Sequence, residues 1–197
     1  MKIIHKKSYP RLAPIGYVEL NRTMMTVGHS TLSIESFLRA LKENGCGLLV
    51  DVRRFPGSRK YPQYDRERLF ASLEAEGITA VWREGLGGRR PAHQNSINTG
   101  WLNASFRGYA DYMQTAEFAD QINWLTEQRN LTTVAIMCAE AVPWRCHRRL
   151  IADAVLARGG VVEDIFVLPD GKSSRKPHSM TRFARVEGHR VFYPAPE

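Results

Sequence analysis

Five apolar runs separated by segments of helical period constrain this chain more than any other feature. The runs are MMTVG (24–28), CGLLVDVR (46–53), ITAVW (78–82), LTTVAIMCAE (131–140) and VVEDIFVLP (161–169). CGLLVDVR and LTTVAIMCAE are continuously apolar, which predicts strands buried on both faces rather than strands with a wet side. Between the first two runs, Ile34, Phe37, Leu38 and Leu41 recur at helical spacing, with Ser33 as N-cap and Gly45 as the stop. Between the next two, YDRERLFASLEAEG predicts a helix capped by Asp65 and ended by Gly77. After a polar insert at 93–105, a helical stretch covers about 106–129 with a break near Thr115. Residues 144–160 predict another helix, with Leu150, Ile151, Ala154 and Val155 on one face.

Strands alternating with helices of this length require parallel pairing and crossover connections that cover both faces. The expectation is a single α/β domain over residues 23–168, a three-layer α/β/α fold with a mostly parallel sheet of about five strands. A basic, Pro-containing arm (1–22) precedes it, and a basic C-terminal extension (169–197) packs on it. The extension has too little periodicity for helices, and a hairpin around Glu187-Gly188 fits its turn chemistry. A chain of 197 residues can bury one full-sized core.

Charge bears on partners. Lys and Arg total 28 against 20 Asp and Glu, a net charge of +8, and 21 of the 28 cations are arginine. The planar guanidinium fork suits carboxylate and phosphate, so the surplus points to an anionic small molecule or nucleic acid. No apolar run reaches the ~18 residues of a membrane span, so no membrane partner is expected. The first residues lack a secretory h-region, and three cysteines, an odd count, suggest free thiols in a reducing cytoplasm. No GxGxxG follows a strand and no Walker lysine loop is present, which removes nucleotide folds in those two senses.

In open parallel sheets, ligands bind outside the carboxyl ends of the strands. The unusual residues fall there. His29 and Ser30 follow the first run; Asp51, Arg53, Arg54 and Ser58 follow the second; Glu84, Gly87 and Gly88 follow the third; Cys138 and Glu140 follow the fourth. Each also has a plain structural use, such as a turn at His29-Ser30, an ion pair between Asp51 and Arg53, or positive φ at the glycine pair. In CAEAVPWRCHR (138–148), Cys138 ends a strand and Pro143 opens the way to a helix, whose N-terminal amides favour anions and thiolates. A catalytic set follows: Cys138 as a nucleophile, with Asp51, Glu140 and His29 for proton transfer. An anion-binding set surrounds it: Arg53, Ser58, Arg145, His147, Arg148, Gly87 and Gly88.

A metal competes for the same residues, because Cys138, Cys146 and His147 are ligand types and His29 lies at the adjacent strand end. No C-x2-C pair is present, and Cys146 falls in helical register with Leu150 and Ala154, which makes it a core thiol. The weight of a metal reading therefore falls on His29, His147 and a carboxylate; no ligand set is assigned and no cofactor is specified. The function expected is an enzyme with an anion site at the sheet edge. The alternatives are a non-catalytic nucleic-acid-binding module or a metal-binding protein using the same cleft.

TVGHS, VDVRRFPGSRKYPQY, WREGLGGRR and MCAEAVPWRCHRRLIAD, followed by HSMTRFARVEG and YPAPE, resemble in order the bacterial and archaeal domain-of-unknown-function family numbered 488. The resemblance runs from about residue 24 to the C-terminus. It implies an α/β protein and assigns no reaction.

Overall fold

The computed structural model describes residues 23–196; the arm at 1–22 lies outside the described residues. Strands β1 (Met24–Gly28), β2 (Leu48–Asp51), β3 (Thr79–Trp82), β4 (Val134–Cys138) and β5 (Val162–Val167) pair in parallel. A sixth strand, β6 (Ser173–Pro177), adds antiparallel to β5, giving the order β3-β2-β4-β1-β5-β6. Helices α1 (Ile34–Glu43), α2 (Arg66–Ala75), α3 (Ala104–Tyr112), α4 (Ala116–Leu131) and α5 (Arg148–Leu156) cover the sheet. Strands β7 (Arg185–Glu187) and β8 (Arg190–Phe192) form the hairpin expected around Glu187-Gly188.

The continuous apolar runs arise because successive residues of each inner strand point into different cores. Met25, Leu49, Ala135 and Met137 pack with Phe37, Leu41, Leu69 and Leu73, beneath α1 and α2. Met24, Val50, Ile136 and Cys138 pack with Tyr109, Phe118, Ile122 and Leu150, beneath α3, α4 and α5. Both layers are therefore filled, as a three-layer α/β/α fold requires.

The local signals act at the helix starts. Ser33 Oγ accepts from the Ser36 N–H at 3.2 Å, and Thr115 Oγ1 accepts from the Phe118 N–H at 3.2 Å. Thr115 is thus the cap that separates α3 from α4, at the expected break. One boundary differs. Residues 143–145 form a 3₁₀ turn, Cys146 is extended (φ −132°, ψ 142°), and α5 starts only at Arg148. The helix expected from residue 144 is shorter because this turn and the extended Cys146 interrupt it.

This topology creates a switch point. The chain leaving β1 and β2 runs to helices on one face, whereas the chain leaving β4, which lies between them, runs to α5 on the other face. Oppositely directed connections open a crevice at the carboxyl ends of adjacent strands. Cys138, the last residue of β4, sits at its centre.

Candidate functional site

The backbone at the three strand ends stays in register beyond the sheet. The His29 N–H donates to Cys138 O at 3.1 Å, the Ser30 N–H to Ala139 O at 2.9 Å, and the Val52 N–H to Met137 O at 3.0 Å. Gly28 is the residue this packing requires: a Cβ there would lie 1.8 Å from Glu140 O. Arg148, wholly buried, donates from Nη1 to Glu140 O and from Nη2 to Ala141 O at 2.9 Å. The loop after β4 is thus pressed onto Gly28 and held from below by a guanidinium fork.

Three side chains meet under this loop. The donor atoms of Cys138, Cys146 and His147 all lie within 4.8 Å of one another. His147 Nε2 is 3.0 Å from Val52 O, which can only accept, so Nε2 carries the proton in the neutral ring. Nδ1 is then an unprotonated acceptor, 3.7 Å from Cys146 Sγ. A Cβ on Gly88 would come within 2.9 Å of Nδ1, so the absence of that side chain is what lets the ring sit here. The hydrogen bond from Cys146, the His147 ring and the Arg148 charge hold the Cys138 thiol well below the ordinary thiol range, against burial. Burial, with Cys138 beside it, pushes Cys146 up. One thiolate shared by a dithiol is the form these environments favour. The same S, S and N donors could hold a soft divalent ion. The carboxylate and His29 anticipated for such a set are not in this cluster.

Above them opens a cleft of about 390 Å³, reached by Arg53, Arg54, Arg89 and Arg145, with Phe55 and Glu140 on its rim. A neighbouring cleft of about 540 Å³ shares Arg53, Phe55, Glu140 and Arg145, and is reached by His29 and Ser58 as well. Two non-glycine residues on these walls, Ser30 (φ 47°) and Arg89 (φ 58°), adopt the left-handed region. Such conformations concentrate where surrounding structure fixes a functional geometry.

His29 is 3% exposed, and its ring stacks on Tyr64 at 3.9 Å. Nδ1 contacts Ser30 O at 3.0 Å, which leaves Nε2 a buried acceptor without a partner. Burial, then the nearby Arg53 charge, lowers its pKa to about 4, so the ring is neutral at pH 7.

Other predicted site residues, of which Arg53 and Ser58 also line the clefts, have their polar groups engaged within the protein. Arg53 binds Asp51 through Nε at 2.9 Å and Nη2 at 2.6 Å, and donates from Nη1 to Tyr64 O at 2.8 Å. Burial pushes the Asp51 carboxyl up, opposed by this pairing. Ser58 Oγ accepts from the Tyr61 N–H at 3.0 Å. Arg148 has both Nη groups on loop carbonyls, and Gly87 packs against Arg54. What remains turned to the clefts is His29, Cys138, Glu140, Arg145, His147 and Gly88.

Sequence reasoning missed the Val52 carbonyl, Phe55, Arg89 and the start of α3, where Asn103, Ser105 and Phe106 close the first cleft. Arg89, in the LGGRR turn, was within reach of it. Cys146 is the buried core thiol that its apolar spacing predicts, and it also borders the first cleft beside Cys138.

Compared with known families, residues 33–155 match the profile described as domain of unknown function DUF488. The chain belongs to the DUF488 family. The match takes in β2 through β4 and nearly all of α5, and so every wall of the first cleft. Neither a search of curated proteins nor one of solved structures returned a match to this chain. Among the described residues, no helix is long and apolar enough to cross a membrane.

Proposed function

We propose that this DUF488 protein is an enzyme that binds an anionic substrate in the strand-end cleft and attacks it with the Cys138 thiolate. The observation that carries the reading is the His147 ring, fixed by Val52 O at 3.0 Å with Nδ1 turned to the two thiols. A nucleophile, a base and a group orienting the base recur wherever a cysteine is activated. Here His147 Nδ1 takes the thiol proton, and the Val52 carbonyl stabilises the imidazolium that forms.

Arg89 and Arg145 stand on the rim with no ion pair among the described residues, and Arg54 shares Glu84 at 3.0 Å. They supply the anion contacts. Phe55 is 64% exposed, with the Arg89 guanidinium 5.5 Å from its ring centroid. Guanidinium forks beside an apolar face suit a carboxylate or phosphate joined to an apolar group, a nucleotide being one such anion. Glu140 at the rim serves as an acid or base, and the neutral His29 ring, its Nε2 buried, shapes the wall.

The test is alkylation by iodoacetamide as a function of pH. A fast phase with its midpoint well below the free-thiol value of about 8.5 is expected. Cys138→Ser removes that phase, His147→Gln moves it upward, and inorganic phosphate slows it in wild type but not in the Arg89→Ala, Arg145→Ala double variant. Ordinary thiol titration, indifferent to phosphate, would sink the reading.

A further inference from the structure

We propose that Cys146 is a second catalytic thiol, and that the cleft carries out dithiol–disulfide exchange on an anionic disulfide. The proposal rests on the reading of Cys138 as nucleophile and names the substrate class for it.

Two sulfurs within 4.8 Å at the floor of an open cleft are the core of the argument. Cys146 is buried with the core but does not belong to a helix. It occupies the two-residue link between the 3₁₀ turn at 143–145 and α5, in extended backbone. A side-chain rotation with a small shift of this link brings its sulfur towards the ~2.05 Å of a disulfide. The third cysteine shows what a structural thiol looks like in the same protein. Cys46 packs with the core beneath α1 and α2, its thiol lies 3.4 Å from Leu48 O, and burial pushes its pKa up to about 12.

A second thiol beside the nucleophile selects the chemistry. A phosphoryl or acyl group on Cys138 leaves by hydrolysis and has no use for Cys146. A sulfur group on Cys138 does. The Cys138 thiolate attacks one sulfur of the substrate disulfide, and the S–S bond breaks. The first substrate thiolate leaves with the proton that His147 took from Cys138, which returns His147 to the neutral form. Cys146 gives its proton to His147 Nδ1 and attacks Cys138 Sγ. The second substrate thiolate leaves with that proton, and a Cys138–Cys146 disulfide remains. Two electrons pass from the dithiol to the substrate, and excess small thiol reverses the protein's oxidation. His147 can serve both thiols because its Nδ1 faces the pair. Arg89 and Arg145 select a disulfide carrying carboxylates.

The test uses the full-length reduced protein with a chelator present, so that no metal masks the thiols. Oxidised glutathione, an anionic disulfide, and cystamine, a cationic one, are added in turn. Released thiol is counted, and the protein is mapped by mass spectrometry. With oxidised glutathione, wild type releases two equivalents of thiol and ends with the Cys138–Cys146 disulfide. Cys146→Ser and Cys146→Ala each release one and stop as a glutathione adduct on Cys138. Cystamine reacts more slowly than oxidised glutathione, and the Arg89→Ala, Arg145→Ala double variant removes that preference. A stable Cys138 adduct in wild type, with Cys146 still open to alkylation, overturns the second-thiol role and leaves the nucleophile standing. Equal rates for the two disulfides overturn the anionic substrate class. No modification of Cys138 by either disulfide overturns this inference and the reading beneath it.

Discussion

The imidazole of His178 sets a pH limit on the stability of this fold. It follows β6 and is buried between two carboxylates, with Nδ1 2.8 Å from Asp164 of β5 and Nε2 3.4 Å from Asp153 of α5. Thr26 of β1 donates to Asp164, while Thr181 and Tyr193 donate to Asp153. The network therefore joins the C-terminal segment to both the sheet and α5. Burial works against the imidazolium, but the two carboxylates outweigh it and raise the pKa from 6.5 to about 9. A raised pKa means that the folded state holds the proton more tightly than the unfolded chain. The stabilisation is complete below about 6.5 and is lost as pH rises through about 9. At roughly 1.4 kcal/mol per pH unit between those values, it amounts to about 3 kcal/mol. His178→Gln keeps a hydrogen-bonding side chain and removes the charge. Urea unfolding followed by tryptophan fluorescence should show the variant less stable at pH 6, and the gap should narrow by about 3 kcal/mol at pH 9.5. With m-values of about 2–3 kcal/mol per molar urea, that is a midpoint shift of about 1 M or more. Taking the difference between wild type and variant at each pH cancels the titration of the cysteines. An equal gap at both pH values would refute the reasoning.

Three further outcomes follow from the site's geometry. Gly88→Ala places a Cβ 2.9 Å from His147 Nδ1; displacing the ring from Val52 O should cost about 1–2 kcal/mol in unfolding experiments and shift Cys138 alkylation to higher pH. Arg148→Gln leaves the Glu140 and Ala141 carbonyls without their fork; a loss of about 2–4 kcal/mol is expected, with proteolysis at 139–142 as the local readout. Retention of a single-stranded oligonucleotide at ~50 mM salt should fall steeply as salt rises, and Arg145→Ala should reduce the slope of that fall by about one phosphate contact.

How much of this was legible in the sequence depended on whether a residue's neighbours lie close along the chain. Strands β2 and β4 could be read because both faces are buried, which leaves an unbroken apolar run. The caps at Ser33, Asp65 and Thr115 could be read because each acts on N–H groups two or three residues ahead. Strand β6, SSRKP, could not: four of its five residues are exposed and it ends in proline, as an edge strand can. Cys146 lies in the core, as the period of α5 extended backwards predicts, but in extended backbone rather than in the helix. A 3₁₀ turn and one extended residue interrupt that period, and nothing in the spacing of apolar residues announces them.

The arginines were the harder case, since a positive charge does not declare what it faces. Arg53 and Arg148 are both buried at the cleft, yet their electrostatic effects differ. Arg53 is paired with Asp51, and the effect its charge keeps at the site is on His29, not on Cys138. Arg148 is held by two carbonyls, which engage both Nη groups, leave the buried Nε without a partner, and do not cancel its charge. Its charge favours ionisation of the Cys138 sulfur. Burying a guanidinium on neutral acceptors is costly unless a counter-charge is near, so Arg148 and the Cys138 thiolate stabilise one another. The fork that shapes the loop then also favours the Cys138 thiolate, alongside Cys146 and His147. Replacing Arg148 should therefore disturb the loop and raise the alkylation midpoint together, whereas replacing Arg53, whose charge is already matched, should loosen the wall and leave that midpoint nearly in place.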